Sequence, residues 1–118
     1  MKDADAARFF PRGTLPLARA VPGASYWAVA LEHAMLTYFE VEPHATFERH
    51  AHESEQITLV LDGALVFAFD DRTVTVGSGE VVAIPGRVPH AVTAGAAGAR
   101  AVDAWSPVRA EYRRSGER

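Results

Sequence analysis

The segment "QITLVLDGALVFAFDDRTVTVGSGEVVAIPG", from Gln56 to Gly86, constrains the fold more than any other part of the chain. Short runs of β-branched and apolar residues alternate with turn-forming clusters at Asp62–Gly63, Asp70–Arg72 and Gly77–Gly79. β-Branched side chains lose rotamer freedom in a helix and pack well on a pleated surface. Gly and Asp supply the backbone conformations that tight turns need. The pattern predicts strands joined by turns, with a hairpin at Asp62–Gly63. Upstream, "YWAVALEHAMLTYFEVEP" reads as two further strands broken near Glu32–His33. Trp27, Val29 and Leu31, then Met35, Phe39 and Val41, fall in period two. Strand-like runs continue to "RAVDAW" near the end, so the fold class is all-β, a sandwich or barrel. Pro11, Pro16 and Pro22 rule out a long helix in the N-terminal stretch. One domain is expected, with residues 1–24 as an arm, 25–110 as the barrel and 111–118 as a polar tail.

Composition narrows the function classes. The 118 residues are 48% hydrophobic and 23% charged, ordinary for a globular domain that buries its own core. There is no cysteine, which excludes disulfides and thiolate chemistry and leaves His, Asp, Glu and Gln as metal ligands. The net charge of −3, with basic residues grouped only in "RRSGER", argues against a nucleic-acid partner. No apolar stretch approaches the roughly 20 residues of a spanning helix, and the acidic "MKDADAARFF" does not read as a signal peptide. The expectation is a cytoplasmic protein without a membrane partner.

The chemistry is concentrated in "ERHAHESEQITLVLDG", residues 48–63. On an extended strand alternate residues share a face. His50, His52 and Gln56 share parity with Thr58 and Val60, whereas Glu53 and Glu55 fall on the other face. If the histidines point inward, Gln56 points with them. The bland alternative is an exposed polar strand edge, since the chain has five histidines and a chance His-x-His pair is not rare. His33, in an expected turn, and His44, after Pro43, read as surface residues.

Downstream, "GEVVAIPGRVPH" places Pro85 after Gly79 and five residues, and His90 five positions beyond Pro85. Taken with His-x-His, Gln56 and Gly63, this layout resembles the two motifs of the cupin superfamily over roughly residues 36–108. The resemblance implies a double-stranded β-helix, or jelly-roll barrel, holding one divalent metal ion such as Zn, Ni, Mn or Fe. His50, His52 and His90 match the family's histidine ligands. Gln56 stands where the family more often has glutamate. His44 and Arg87 stand where it usually has glycine, with Gly86 displaced by one position, and Ala94 stands where asparagine is usual. Three imidazoles and an amide leave the full charge of a divalent ion to polarise a ligand, which suits Lewis-acid work better than oxygen activation.

The last polar cluster is "VDAWSPVRAEY", residues 102–112. Asp103 and Trp105 share parity, and Pro107 ends the ladder before Arg109. Trp105 alone reads as core packing. Together the three offer a carboxylate for proton transfer, an aromatic face and a guanidinium to grip an acid. This Asp-x-aromatic-Ser-Pro-x-Arg ending resembles the small cupins typified by the uronate-ketonising proteins of pectin and alginate breakdown, with tryptophan where phenylalanine is usual. The resemblance implies catalytic roles for Asp103 and Arg109, substrate contact for Trp105 and a small acidic substrate. Polyketide cyclase-like, dioxygenase and ligand-sensing cupins are the alternatives. Phe9, Phe10 and Leu15–Leu17 are apolar for a loose arm, and a homodimer with exchanged arms is expected.

Overall fold

The computed structural model describes residues 6–113; the first residues of the arm and most of the polar tail lie outside it. The described residues form eight strands: β1 (Ala18–Val21), β2 (Ala24–Ala30), β3 (Met35–Val41), β4 (Thr46–His50), β5 (Glu55–Phe69), β6 (Thr73–Gly77), β7 (Val81–Ile84) and β8 (His90–Ser106). A 3-10 turn follows at Ala110–Tyr112. All pairings are antiparallel, in the order β1-β2-β3-β8-β5-β6, with β4 added to β8 and β7 to β5. Strand pairing starts at Ala18, inside the stretch read from sequence as an arm.

β5 and β8 are long because each serves two sheets. Glu55–Gly63 pairs with Ala99–Ser106, beside β3 on one side and β7 on the other. Leu65–Phe69 pairs with His90–Ala94, between β4 and β6. Two sheets joined by shared, bent strands make the jelly roll. The hairpin expected at Asp62–Gly63 is instead a bend within β5. Register slips on both sides of it, between Val60 and Asp62 and between Gly63 and Leu65. These irregularities switch the buried parity of β5 from Gln56, Thr58 and Val60 to Leu65 and Phe67. Gly63 has φ of 76°, and a Cβ there would lie 2.0 Å from the carbonyl oxygen of Gly98. The turns expected at Asp70–Arg72 and Gly77–Gly79 are present, as is the break between β2 and β3.

The core fills the space between the sheets with Tyr26, Phe39, Val60, Leu65, Phe67, Ile84, Val92 and their neighbours. The outer face of the larger sheet is also apolar. Register aligns Val29, Leu36, Ala104, Ile57 and Ala83 in one row and Trp27, Tyr38, Val102, Leu59 and Val81 in the next. Residues of the arm from Arg8 to Leu15 border a groove on this face with Trp27, Val29 and Leu36. Phe9 remains 86% exposed there.

Two of the departures from the family glycines carry a backbone signature. His44 and Arg87 have φ of 64° and 68°, a region that costs a residue with a Cβ roughly 1–2 kcal/mol. Arg87→Gly should therefore raise stability by up to about 1 kcal/mol after the flexibility glycine adds to the unfolded chain. Gly63→Ala should instead cost more than about 2 kcal/mol, because strain and a backbone clash combine. Urea unfolding midpoints of the two variants, moving in opposite directions, check both.

Candidate metal centre and active site

The three motif histidines converge from different elements. His50 ends β4, His52 lies in the loop after it, and His90 opens β8 directly opposite His50. Their ligand atoms all lie within 4.8 Å of one another. The residues grouped by parity lie together, but they do not share one strand. A loop separates His50 from β5, and Gln56 arrives on that next strand. Glu53 and Glu55 are exposed, as parity required. His33 and His44 are exposed too and lie outside the site.

Backbone carbonyls decide which nitrogen each ring offers. His50 Nδ1 lies 2.7 Å from Glu48 O, His52 Nδ1 2.9 Å from Ser54 O, and His90 Nδ1 2.8 Å from Val88 O. A carbonyl only accepts, so each Nδ1 carries the proton and each Nε2 keeps a lone pair. His90 Nε2 is buried without a hydrogen-bond partner. Gln56 Oε1 sits 3.1 Å from His52 Nε2, lone pair against lone pair. An orphaned buried acceptor beside such a contact is a site built for a cation. His50, His52, His90 and the Gln56 carbonyl oxygen fit a divalent metal ion.

The loop between β7 and β8 braces this arrangement. Arg87 N–H donates to His52 O at 2.7 Å, and a Cβ on Gly86 would lie 2.5 Å from Glu53 O. Glycine at 86 permits the close approach, while Arg87 adopts the left-handed conformation next to it. Ser54 Oγ, also buried, donates to Pro107 O at 2.5 Å and ties the histidine loop to the end of β8.

A hydrogen-bonded row lies behind the metal ligands. Thr37, Asp103 and Thr58 stand opposite one another on β3, β8 and β5. Thr58 Oγ1 donates to Asp103 Oδ1 and Thr37 Oγ1 to Asp103 Oδ2. Gln56 Nε2 donates to Thr58 Oγ1 at 2.9 Å, and Trp105 Nε1 to Thr37 Oγ1 at 2.8 Å. All five side chains are buried. Trp105 meets the His52 ring edge-on, so it is at once core and wall of the site.

Arg109 lies over the rings of Trp105 and Tyr112, at 5.1 and 4.8 Å from their centroids, and forms an ion pair with Glu111. Burial raises the Glu111 carboxyl, but the Arg109 hydrogen bond and charge together with a backbone hydrogen bond outweigh it and hold the group below its ordinary value. Tyr112 packs against Tyr26, Phe39 and Trp105 and borders the cavity. The sequence reading had placed Tyr112 and Glu111 in a polar tail; an aromatic residue after Arg109 was the available signal. Thr37 and Thr58 were missed because only strand register sets them beside Asp103. The cavity, about 40 Å³, is bordered by His50, Gln56, His90, Asp103, Trp105, Arg109 and Tyr112 and by an apolar group including Phe39, Phe47 and Phe67.

The family model of the cupin domain matches residues 37–105. The chain belongs to the cupin family. Solved structures similar to it include KdgF from Halomonas sp., at 22% identity, TM-score 0.82, and coverage of 90% of this chain and 98% of that one. An RmlC-like cupin from Shewanella frigidimarina is 18% identical, with TM-score 0.83 and coverage of 91% and 96%. The polyketide cyclase RemF from Streptomyces resistomycificus is 25% identical, with TM-score 0.76 and coverage of 89% and 82%. No curated protein matches at the level of sequence. Among the described residues of this cupin no helix is long and apolar enough to cross a membrane.

Burial lifts the Asp103 carboxyl to about 6, against the Thr58 and Thr37 hydrogen bonds and the Arg109 charge, which pull it down. Burial lowers the His90 imidazole to about 4, against its bond to Val88, and lowers His52 as well. In the metal-free protein the two kinds of group oppose each other. The Asp103 contribution is full below its unfolded value of 3.8 and is lost as pH rises through about 6. The His90 contribution is full above its unfolded value of 6.5 and is lost as pH falls towards about 4. Asp103→Asn removes only the first. The metal-free variant should lose stability more steeply than wild type on acidification through this window, read from urea midpoints; parallel curves would refute the assignment.

Proposed function

We propose that this cupin is a metal-dependent, non-redox enzyme that tautomerises or ring-opens a small acidic carbonyl or enol compound. The observation that carries this reading is the buried Asp103 carboxyl, raised to about 6, on the same cavity as the histidine cluster and Arg109. A carboxyl titrating near neutrality is suited to both taking and giving a proton.

A divalent ion held by His50, His52, His90 and Gln56 would polarise a carbonyl or enol oxygen. Arg109 grips the substrate carboxylate in place of Glu111, which occupies the guanidinium in the free protein. Asp103 delivers a proton to the enol carbon, and the carboxylate so formed takes back the proton that the enol oxygen releases, so atoms and charge balance. Trp105 and Tyr112, in contact with each other, both pack against the guanidinium and help to hold its fork in one orientation.

Ketonisation of an unsaturated uronate is the finer reading, supported by the ending from Asp103 to Arg109. Cyclisation of a flat polyketide acid is the second reading. Phe39, Phe47, Leu65, Phe67 and Val92 offer apolar wall and no partners for sugar hydroxyls, and RemF is among the similar structures. Gln56 in place of a carboxylate disfavours a dioxygenase.

Kinetics on unsaturated uronates and aromatic keto acids test the proposal. Asp103→Asn should keep its metal and lower kcat by roughly 100-fold. Arg109→Ala should mainly raise KM, by about 10–100-fold for one lost charge-assisted contact. Glu111→Gln should lower KM by freeing Arg109. The double change His50→Ala, His52→Ala should abolish metal binding and activity in a barrel that still folds. Full activity in Asp103→Asn, or oxygen consumption tied to iron, would defeat the mechanism.

We also propose that two chains pair through the outer apolar face. Ile57 and Val81 are more than half exposed on it, Leu36 slightly less, and the arm supplies Phe9. Light scattering should give a dimer mass for wild type and a monomer for Ile57→Lys, Leu36→Glu. A wild-type monomer would end this proposal.

A further inference from the structure

A glutamine amide has a donor end and an acceptor end of nearly the same shape, so its hydrogen-bond partners decide which end faces a metal. At Gln56 that partner is Thr58. The Thr58 hydroxyl has one proton, which goes to Asp103 Oδ1, and its lone pair accepts Gln56 Nε2–H at 2.9 Å. The chain of bonds fixes Nε2 away from the histidines and Oε1 towards them, 3.1 Å from His52 Nε2. The order follows from β5 and β8. Thr58 sits directly opposite Asp103, and Gln56 is two positions back on the same buried face.

We propose that Thr58 is a positioning residue that turns the Gln56 amide so that its carbonyl oxygen completes the metal site. The proposal rests on the reading that Gln56 ligates the metal with His50, His52 and His90. A glutamate at position 56 would need no such partner, because either of its oxygens can ligate. The threonine is thus the counterpart of this chain's amide in the place where the family more often has a carboxylate. Without the hydroxyl, only the weaker pull of the Asp103 carboxylate on the amide opposes its rotation, which would present its NH₂ group to a cation.

Thr37 provides the internal control. It is buried to the same degree as Thr58 and donates to the other oxygen of Asp103, but its second partner is Trp105 rather than Gln56. A general loosening around Asp103 would follow from losing either hydroxyl. Misorientation of Gln56 follows only from losing that of Thr58.

The test is the dissociation constant for Zn²⁺, measured by chelator competition at neutral pH on purified full-length protein. Thr58→Val should weaken binding about 10–100-fold, the usual effect of removing a group that orients a ligand. Thr58→Ser should restore it, and Thr37→Val should leave it near wild type. Thermal unfolding of each metal-free variant establishes that the barrel is intact, and Thr58→Ala carries the same expectation if Thr58→Val does not fold. Wild-type affinity in both Thr58 variants, with weak binding by Gln56→Ala, would overturn the proposal and leave the ligand set standing. Equal losses in Thr58→Val and Thr37→Val would overturn it as well. Wild-type affinity in Gln56→Ala would remove the ligand reading and the proposal together.

Discussion

Where β5 crosses β8, the backbone at Gly63 lies so close to the Gly98 carbonyl that no side chain fits between them. Both strands change buried parity around this crossing, β5 after Val60 and β8 between Ala94 and Ala99. One half of each strand then turns its side chains in from one sheet and the other half from the second sheet. Without that switch, Gln56 and Phe67 could not both face the interior, and neither could His90 and Asp103. Gln56, His90 and the buried Asp103 carboxylate reach one cavity because two continuous strands bend at the same place.

The site built there is polar in layers. Imidazole Nε2 atoms face the cavity because backbone carbonyls hold the opposite ring nitrogens. The Asp103 carboxylate stands behind them, bonded to two threonine hydroxyls that accept hydrogen bonds from Gln56 and Trp105. Burial is the largest influence on Asp103 and His90, and it acts against the charged form of each. The same enclosure keeps the imidazoles ready to bind a metal and leaves the carboxyl near the pH at which it can exchange a proton. Arg109 adds positive charge at the mouth, and Glu111 balances it.

Much of this was legible in the sequence. Period-two runs and turn clusters gave an all-β barrel because a half-buried strand has to alternate its side chains. The spacing of His50, His52 and His90 pointed to the histidine cluster, with Gln56 beside it. The apparent hairpin at Asp62–Gly63 misled because a glycine at positive φ serves a bulge as readily as a turn. Local residue chemistry is the same in both cases, and only the distant Gly98 distinguishes them.

The sequence by itself determined the strand class, the candidate metal donors and the presence of an acid, an aromatic and a guanidinium near the end of the chain. Those follow from residue type and near-neighbour spacing, which the chain carries in full. Tertiary structure alone decided that Thr37 and Thr58 flank Asp103, that Glu111 occupies Arg109, and that Tyr112 lies against the barrel core rather than in a solvated tail. Each of these depends on strand register or on the path of the chain after β8. Pairing across strands joins residues 45 and 66 positions apart, and no local propensity encodes such a separation.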